Sequence, residues 1–151
     1  MATTFKWTAP ETIVTYASSS MNSLADGSFA GAGSIISNEL GGTVLYQYIN
    51  LEVSLGPLSP AAGGFVDIWI YPTMDGSTFA SASKPLITSN LLATFQVDTT
   101  ASTSQRMILA NVPIPPLDFK LDIRNKTGVQ LGGIGTAANT LKYRRHYEQG
   151  V

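Results

Sequence analysis

The single histidine of this 151-residue chain, His146, stands in Lys142-Tyr143-Arg144-Arg145-His146, the densest group of reactive side-chain types in the sequence. A Ser-His-Asp or Cys-His relay would have to use it, since there is no other His and no Cys. Neighbouring cations repel an incoming proton and so depress an imidazole pKa, and no G-x-S-x-G elbow accompanies the residue. A metal held by His or thiolate fails for want of a second such ligand. The cluster therefore reads as a surface or interface feature. If residues 140–147 form a strand, Lys142, Arg144 and His146 make a basic stripe on one face, with Leu141, Tyr143, Arg145 and Tyr147 on the other. Basic residues interleaved with aromatics also compose nucleic-acid platforms. A run this short, on a chain of net charge -1, points instead to pairing with carboxylates of the same domain or of a partner.

The remaining groupings select no chemistry. Asp118 and Asp122 share a strand face with Lys120 between them, which is the pattern of an oppositely charged outer face more than of an oxygen-ligand site. Nothing picks out a carboxylate pair for glycoside hydrolysis. Gly31-Ala32-Gly33 and Gly132-Gly133-Ile134-Gly135 open no helix and lack the lysine of a phosphate loop. Asn125-Lys126-Thr127 matches a glycosylation sequon, which matters only in a secreted chain. No catalytic, cofactor-binding or metal residue is assigned. Four aromatics, Tyr46, Tyr48, Trp69 and Tyr71, fall by alternation opposite the main apolar face. Two readings stay open for them: an exposed contact surface for protein or sugar, or a second core layer under a loop or the N-terminal arm.

These side chains must be positioned by strands. In Leu117-Asp118-Phe119-Lys120-Leu121-Asp122-Ile123-Arg124 every second residue is apolar and every residue between is charged. Successive strand side chains point to opposite faces, so Leu117, Phe119, Leu121 and Ile123 go inward and the charges go to water. Further strands are expected over residues 11–17 around Ile13, 43–55, 65–71, 91–97, 106–112 and 140–147. In the longest, Leu45, Ile49, Leu51, Val53 and Leu55 share one face, and Gly56-Pro57 ends it. Residues 18–33 read mainly as loop, with room for one helical turn near residues 21–24. Asp75-Gly76 and Lys126-Thr127-Gly128 are turns. Seven or eight strands without a convincing helix predict an all-β fold, two packed antiparallel sheets of Ig-like or jelly-roll kind.

A chain of this length buries roughly 70% of its unfolded surface, enough for one domain without staples. Residues 1–10 read as an extended arm carrying Phe5 and Trp7, and residues 11–151 as a single sandwich. Charged residues make up only 13%, which suits a surface partly covered by neighbours as well as a merely Ser/Thr-rich β protein. The first residues lack the basic-then-apolar pattern of a signal peptide, and no stretch approaches the ~20 apolar residues of a membrane helix. Synthesis and use in the cytosol, or in a particle assembled there, are expected, without membrane or nucleic-acid partners.

Phe5-Lys6-Trp7-Thr8-Ala9-Pro10, Tyr46-Gln47-Tyr48-Ile49, Tyr71-Pro72-Thr73-Met74-Asp75-Gly76, Val112-Pro113-Ile114-Pro115-Pro116 with Phe119-Lys120, and Asn139-Thr140-Leu141-Lys142-Tyr143-Arg144-Arg145 together resemble small head proteins of tailed bacteriophages. The functional class is the capsid cement, or decoration, protein. The resemblance spans nearly the whole chain and rests on turn and strand signatures. It implies a jelly-roll-like β-sandwich made in the host bacterial cytoplasm. It also implies a place on the capsid exterior, often as a homotrimer, where the protein clamps neighbouring major capsid subunits. It carries over no catalytic residues and no cofactor. Interface candidates are Phe5, Trp7, Tyr46, Tyr48, Trp69, Tyr71, Lys142, Arg144, Arg145 and His146. The alternative is a carbohydrate-binding β-sandwich of a receptor-binding or tail-associated protein, using the aromatics as stacking platforms; a small hydrolase comes third.

Overall fold

Alternation turns into strands along most of the chain. The computed structural model describes residues 5–31, 34–40, 44–79, 90–99, 103–132 and 139–150. Its strands are β1 (Phe5–Trp7), β2 (Val14–Ala17), β3 (Phe29–Gly31), β4 (Glu39–Leu40), β5 (Val44–Leu45), β6 (Tyr48–Leu58), β7 (Phe65–Pro72), β8 (Leu91–Gln96), β9 (Thr103–Pro113), β10 (Phe119–Lys126), β11 (Thr140–His146) and β12 (Glu148–Gly150). A 3-10 turn spans Ser19–Met21, and Asn90 is also in 3-10 conformation.

Two four-stranded antiparallel sheets pack face to face. The first runs β2-β11-β6-β9, the second β3-β10-β7-β8. The expected all-β sandwich is thus the observed architecture. Ile49, Leu51, Val53 and Leu55 of β6 and Leu141 and Tyr143 of β11 meet Val66, Ile68 and Ile70 of β7 and Phe119, Leu121 and Ile123 of β10. Each is one residue in two along its strand, so the period-2 pattern alone sorts the core from the outside. Met21, Leu24 and Leu131 extend the same core.

Several expectations need correction. The expected strand over residues 43–55 is two elements, because the chain is pinned at its middle: Gln47 donates its amide N–H to His146 O and accepts one from Ile114 at Gln47 O. That break reverses the facing, so Leu45 is 41% exposed while Tyr46 is in the core. Gly56-Pro57 does not end β6. Pairing with β9 jumps from Leu55↔Gln105 to Leu58↔Thr103, and the irregularity takes in the proline that cannot donate to the ladder. The same edge bulges again between Ile49 and Leu51, where Asn111 takes φ 58° and donates its N–H to Asn50 Oδ1. Residues 29–31, read as loop, form the edge strand β3, and the helical turn falls at Ser19–Met21. Leu117 lies outside β10 and is only half-buried.

The outer face of the second sheet is also drier than its charges suggest. Asp67, Trp69 and Tyr71 of β7 are buried, and Asp67 Oδ1 accepts the Thr94 hydroxyl at 2.7 Å. Lys120 and Arg124 are half-buried, each with its cation against a ring, Phe79 at 4.4 Å and Phe29 at 5.2 Å. Asp122 sits over Gly31, where a Cβ would fall 2.4 Å from its Oδ1, so any larger residue at 31 would make the Asp122 carboxylate shift.

Loop ends are held by buried amide side chains. Asn125 donates to Leu24 O at 2.9 Å and Val129 O at 2.8 Å, and its Oδ1 accepts both the N–H and the hydroxyl of Thr127. Its amide nitrogen is fully engaged inside the fold, so the sequon there offers no glycan acceptor. Asn139 joins Gly56, Asn22 and Gly132 in the same way.

Phe119→Asp is expected to unfold the domain, since it places an unpaired charge in a fully buried position. Lys120→Ala, one residue away on the other face, should cost no more than about 1 kcal/mol, the scale of its ring contact. Denaturant melts of the two variants check the register; equal loss would overturn it. Burial raises the Asp122 carboxyl above the usual carboxylate range, with Lys120 pulling partly back. A folded pKa above the unfolded one favours folding most at acid pH, and that contribution is lost as pH rises through the folded value. Asp122→Asn should therefore raise the melting temperature at neutral pH. The gain should vanish below the ordinary Asp pKa of about 3.9. Thermal melts at the two pH values test the sign.

Candidate functional site

Strand β11 carries the basic run, and its alternation sends the four cationic types to different fates. Arg145 is half-buried and enclosed. Its Nε and NH2 donate to the two oxygens of Glu11 at 2.8 Å each, NH1 donates to Ser37 O, and the Arg145 backbone N–H also donates to Glu11 Oε1. The guanidinium lies 4.3 Å from the Tyr46 ring centre and 5.7 Å from that of Tyr143. Such a bidentate, ring-flanked pair is a structural clasp.

The clasp belongs to a longer ladder between the two ends of the chain. Tyr143 and Lys142 pair with Val14 and Thr15, Glu11 donates its N–H to Arg145 O, and Thr8 donates to Tyr147 O through both N–H and hydroxyl. Beyond it Phe5, Lys6 and Trp7 pair with Gly150, Gln149 and Glu148. Residues 5–17 thus run antiparallel to residues 141–150. The backbone of the proposed arm is tied to the chain's own C-terminal segment over its described part.

His146 is buried and stacked on Tyr48, with ring centres 5.5 Å apart and planes 19° from parallel. Burial and then the nearby Arg144 push its imidazole below the usual His value, which keeps it neutral at physiological pH. Lys142 donates to Glu52 at 3.3 Å from one side, and Arg106 reaches the same carboxylate at 2.5 Å from the other. The Arg106 contact first, then Lys142, holds Glu52 below the usual carboxylate range against its own partial burial. Arg144 is the exposed cation of the run.

The structure therefore separates the candidates. Tyr46 lies in the core between strands, correcting the outward placement. Trp69 and Tyr71 do lie opposite the core but are buried, and burial pushes the Tyr71 phenol up to about 12. The second-layer reading applies to these two. Tyr48 is half-exposed. None of the four offers a flat, open ring face of the kind a sugar stacks on, except a part of Tyr48. The side chains of Phe5 and Trp7 lie outside the described residues.

What the structure brings together instead is the outer face of the first sheet. Cross-strand register sets Thr15, Lys142, Glu52 and Ile108 in one row and Arg144 beside Asn50 in the next. Ile13, Asn50, Glu52, Arg106, Ile108 and Arg144 line a shallow hollow there of about 180 Å³. Ile13 and Ile108 are each 60% exposed at its two sides. Two cations, Arg106 and Lys142, hold the Glu52 carboxylate, Arg144 lines the same hollow, and apolar side chains flank them. Sequence reading missed Ile13, Glu52, Arg106 and Ile108. Ile13 is expected only as the centre of alternation in a strand over residues 11–17, whose neighbours Thr12 and Val14 define no apolar face; β2 begins after it, at Val14. A larger open groove, about 980 Å³, lies between β5, the Pro113–Pro116 turn and β12, with Leu45, Tyr48, Ile114 and Tyr147 in its wall. Among its described lining residues Glu148 is the one carboxylate. Among the described residues no group of three His, Asp or Glu is placed to hold a metal ion.

No family model matches the chain, and comparison with curated proteins finds no match.

Glu11→Gln should lower stability by about 1–3 kcal/mol, because it leaves a half-buried guanidinium without its anion. Arg144→Gln, on the same strand but exposed, should change stability by no more than about 0.5 kcal/mol. Chemical denaturation of both variants checks the assignment, and equal losses would mean that the clasp is not what holds the termini.

Proposed function

We propose that the protein is a non-enzymatic structural component of a phage particle that binds the outside of the capsid and clamps neighbouring major capsid subunits. The observation that carries this reading furthest is the outer face of the first sheet, where exposed Ile13 and Ile108 flank a net-positive group, Arg106 and Lys142 paired with Glu52 and Arg144 in the same hollow. Apolar contacts with a cationic centre fit a protein surface that offers carboxylates between apolar patches. The sequence resemblance to cement proteins supplies the identity of that surface. The sheet is held from both ends by the terminal ladder, so the face is preformed, and preformed surfaces lose little entropy on docking. Burial of Tyr46, Trp69 and Tyr71 removes most of the stacking platform that a carbohydrate-binding reading needs.

Co-sedimentation with purified undecorated capsids tests the proposal. The wild-type chain should pellet with the shells. Arg144→Glu combined with Ile13→Asp should bind at least tenfold more weakly while melting within a few degrees of wild type, since both residues are exposed. The Arg144 part of the loss should shrink as salt rises, because exposed charges are screened over roughly 8–10 Å near physiological ionic strength. Undiminished pelleting of the double variant, or selective retention on a glycan array instead of on capsids, would overturn the reading.

A further inference from the structure

Each sheet of the sandwich has two edges, and they are unequal. On the first sheet the edges are β2, of four residues, and β9, of eleven; on the second they are β3, of three, and β8, of six. A free edge presents unpaired backbone N–H and C=O groups, so its natural occupant is another extended strand. Natural sheets blunt long edges with lysines, inward charges, proline or bulges. The irregularities of β9 flank residues 105–109, and that regular stretch has little such protection. Between Thr103 and Val112 its single charge is Arg106, already joined to Glu52 across the sheet, and its proline comes only at Pro113. Met107 is half-buried, Leu109 is 39% exposed, and Ile108, on the opposite face, is 60% exposed. Among the described residues β9 pairs with β6 alone.

We infer that β9 is a self-pairing edge, joining two copies of this chain antiparallel across a two-fold axis near Ile108. The strand is self-complementary. Antiparallel pairing centred on Ile108 sets residue 108 of each copy against its equivalent, Met107 against Leu109, and Arg106 against Ala110. Ile108 and Leu109, the large apolar side chains exposed on the strand, then each meet an apolar side chain, one on each face of the joined sheet. The two Arg106 side chains fall four positions apart along the strand, ~14 Å at ~3.4 Å per residue. That exceeds the screening length near physiological ionic strength, ~8 Å, and each guanidinium keeps its own Glu52. An isologous junction of this kind closes on itself, so it does not run on into a fibre. It would merge two four-stranded sheets into one of eight strands, with the cationic outer faces side by side. The junction rests on the edge itself and stands whether or not the capsid is the partner. It differs from the trimer implied by resemblance.

The test uses the absence of cysteine from the chain. Ile108→Cys and Ile13→Cys place single thiols at two equally exposed positions on opposite edges of one sheet. Under mild oxidation Ile108→Cys should form a covalent dimer rapidly, at a rate at least tenfold above Ile13→Cys. Native mass spectrometry of the full wild-type chain at micromolar concentration should give twice the chain mass. Ile108→Lys, which sets like charges across the axis at an exposed site, should give the monomer mass with an unchanged circular dichroism spectrum. A monomeric wild type, equal crosslinking at both positions, or an oligomer of any order that survives Ile108→Lys would overturn the inference. So would protection of β9 amides from exchange only when a different protein is added.

Discussion

One ion pair, Arg145 with Glu11, decides how the two ends of this chain are used. It sits in the middle of the ladder that runs residues 5–17 against residues 141–150. Around the guanidinium are a carboxylate, the carbonyl of Ser37 and the rings of Tyr46 and Tyr143, so four separate stretches of chain converge on one cation. A half-buried charge is costly unless its donors are satisfied, and that cost fixes the geometry of all four stretches together. The consequences spread along β11. With Arg145 turned toward Glu11, alternation puts Arg144 outside and the neutral imidazole of His146 against Tyr48. A run that looks like one positive patch in the sequence is divided by the fold into a clasp, a stacked ring, a bridged lysine and a single exposed cation.

The parts of the structure that were legible are those set by the pleat. Phe119, Leu121 and Ile123, and equally Ile49 to Leu55, needed only the two-residue period to be placed, and the loss of that period at a turn located most strand ends. What could not be read depends on contacts between distant segments. Tyr46 turns inward because Gln47 is pinned by His146 and Ile114, and no local pattern encodes that. Sequence leaves open whether Trp69 and Tyr71 face a partner or a second layer, because Asp67 shares their face; Asp67 is itself buried with Thr94 as its donor, so its charge does not report solvent. Short edge strand β3 escaped notice because Phe29-Ala30-Gly31 has too few residues for alternation to show. Of the candidate site, the cations were visible and their partners were not. Glu11 and Glu52 are ordinary acids in sequence and become specific only when antiparallel register brings them beside Arg145 and Lys142.

The two sandwich faces differ in a way that bears on function. On the second sheet, aromatic and charged side chains are folded onto one another, and the rings of Phe29 and Phe79 lie over the cations of β10. Those cations are spent within the domain. On the first sheet the charges are paired in the plane of the face, Arg106 and Lys142 on Glu52, and the large apolar residues Ile13 and Ile108 are left uncovered beside them. Pairing within the face lowers the desolvation penalty of covering it, because the charges are partly neutralised before a partner arrives. Uncovered apolar area then supplies the gain on contact, roughly 25 cal/mol per Å² before association costs. A low overall charge helps for the same reason: few solvated groups must be stripped of water.

Rigidity follows from where the polar groups are buried. Asn38, Asn125 and Asn139 are inside the fold; the side chains of Asn125 and Asn139 each tie several distant segments, while that of Asn38 donates to Pro115 O. Asn139 alone connects the end of β6, the stretch before β11 and the turn after Ser19–Met21. An amide can do this because it donates and accepts at once, and its removal would leave buried backbone groups without partners. Strand pairing fixes the sheets, and these amides fix the connections between them, so few described segments are left to order when another molecule docks. A protein whose task is to offer a surface gains from that arrangement, since each side chain already held is one whose freedom need not be lost on binding. An enzyme lid needs the opposite, a segment of low local stability. In the described residues the polar groups are placed to hold loops still, which is the property a clamp between neighbouring subunits requires.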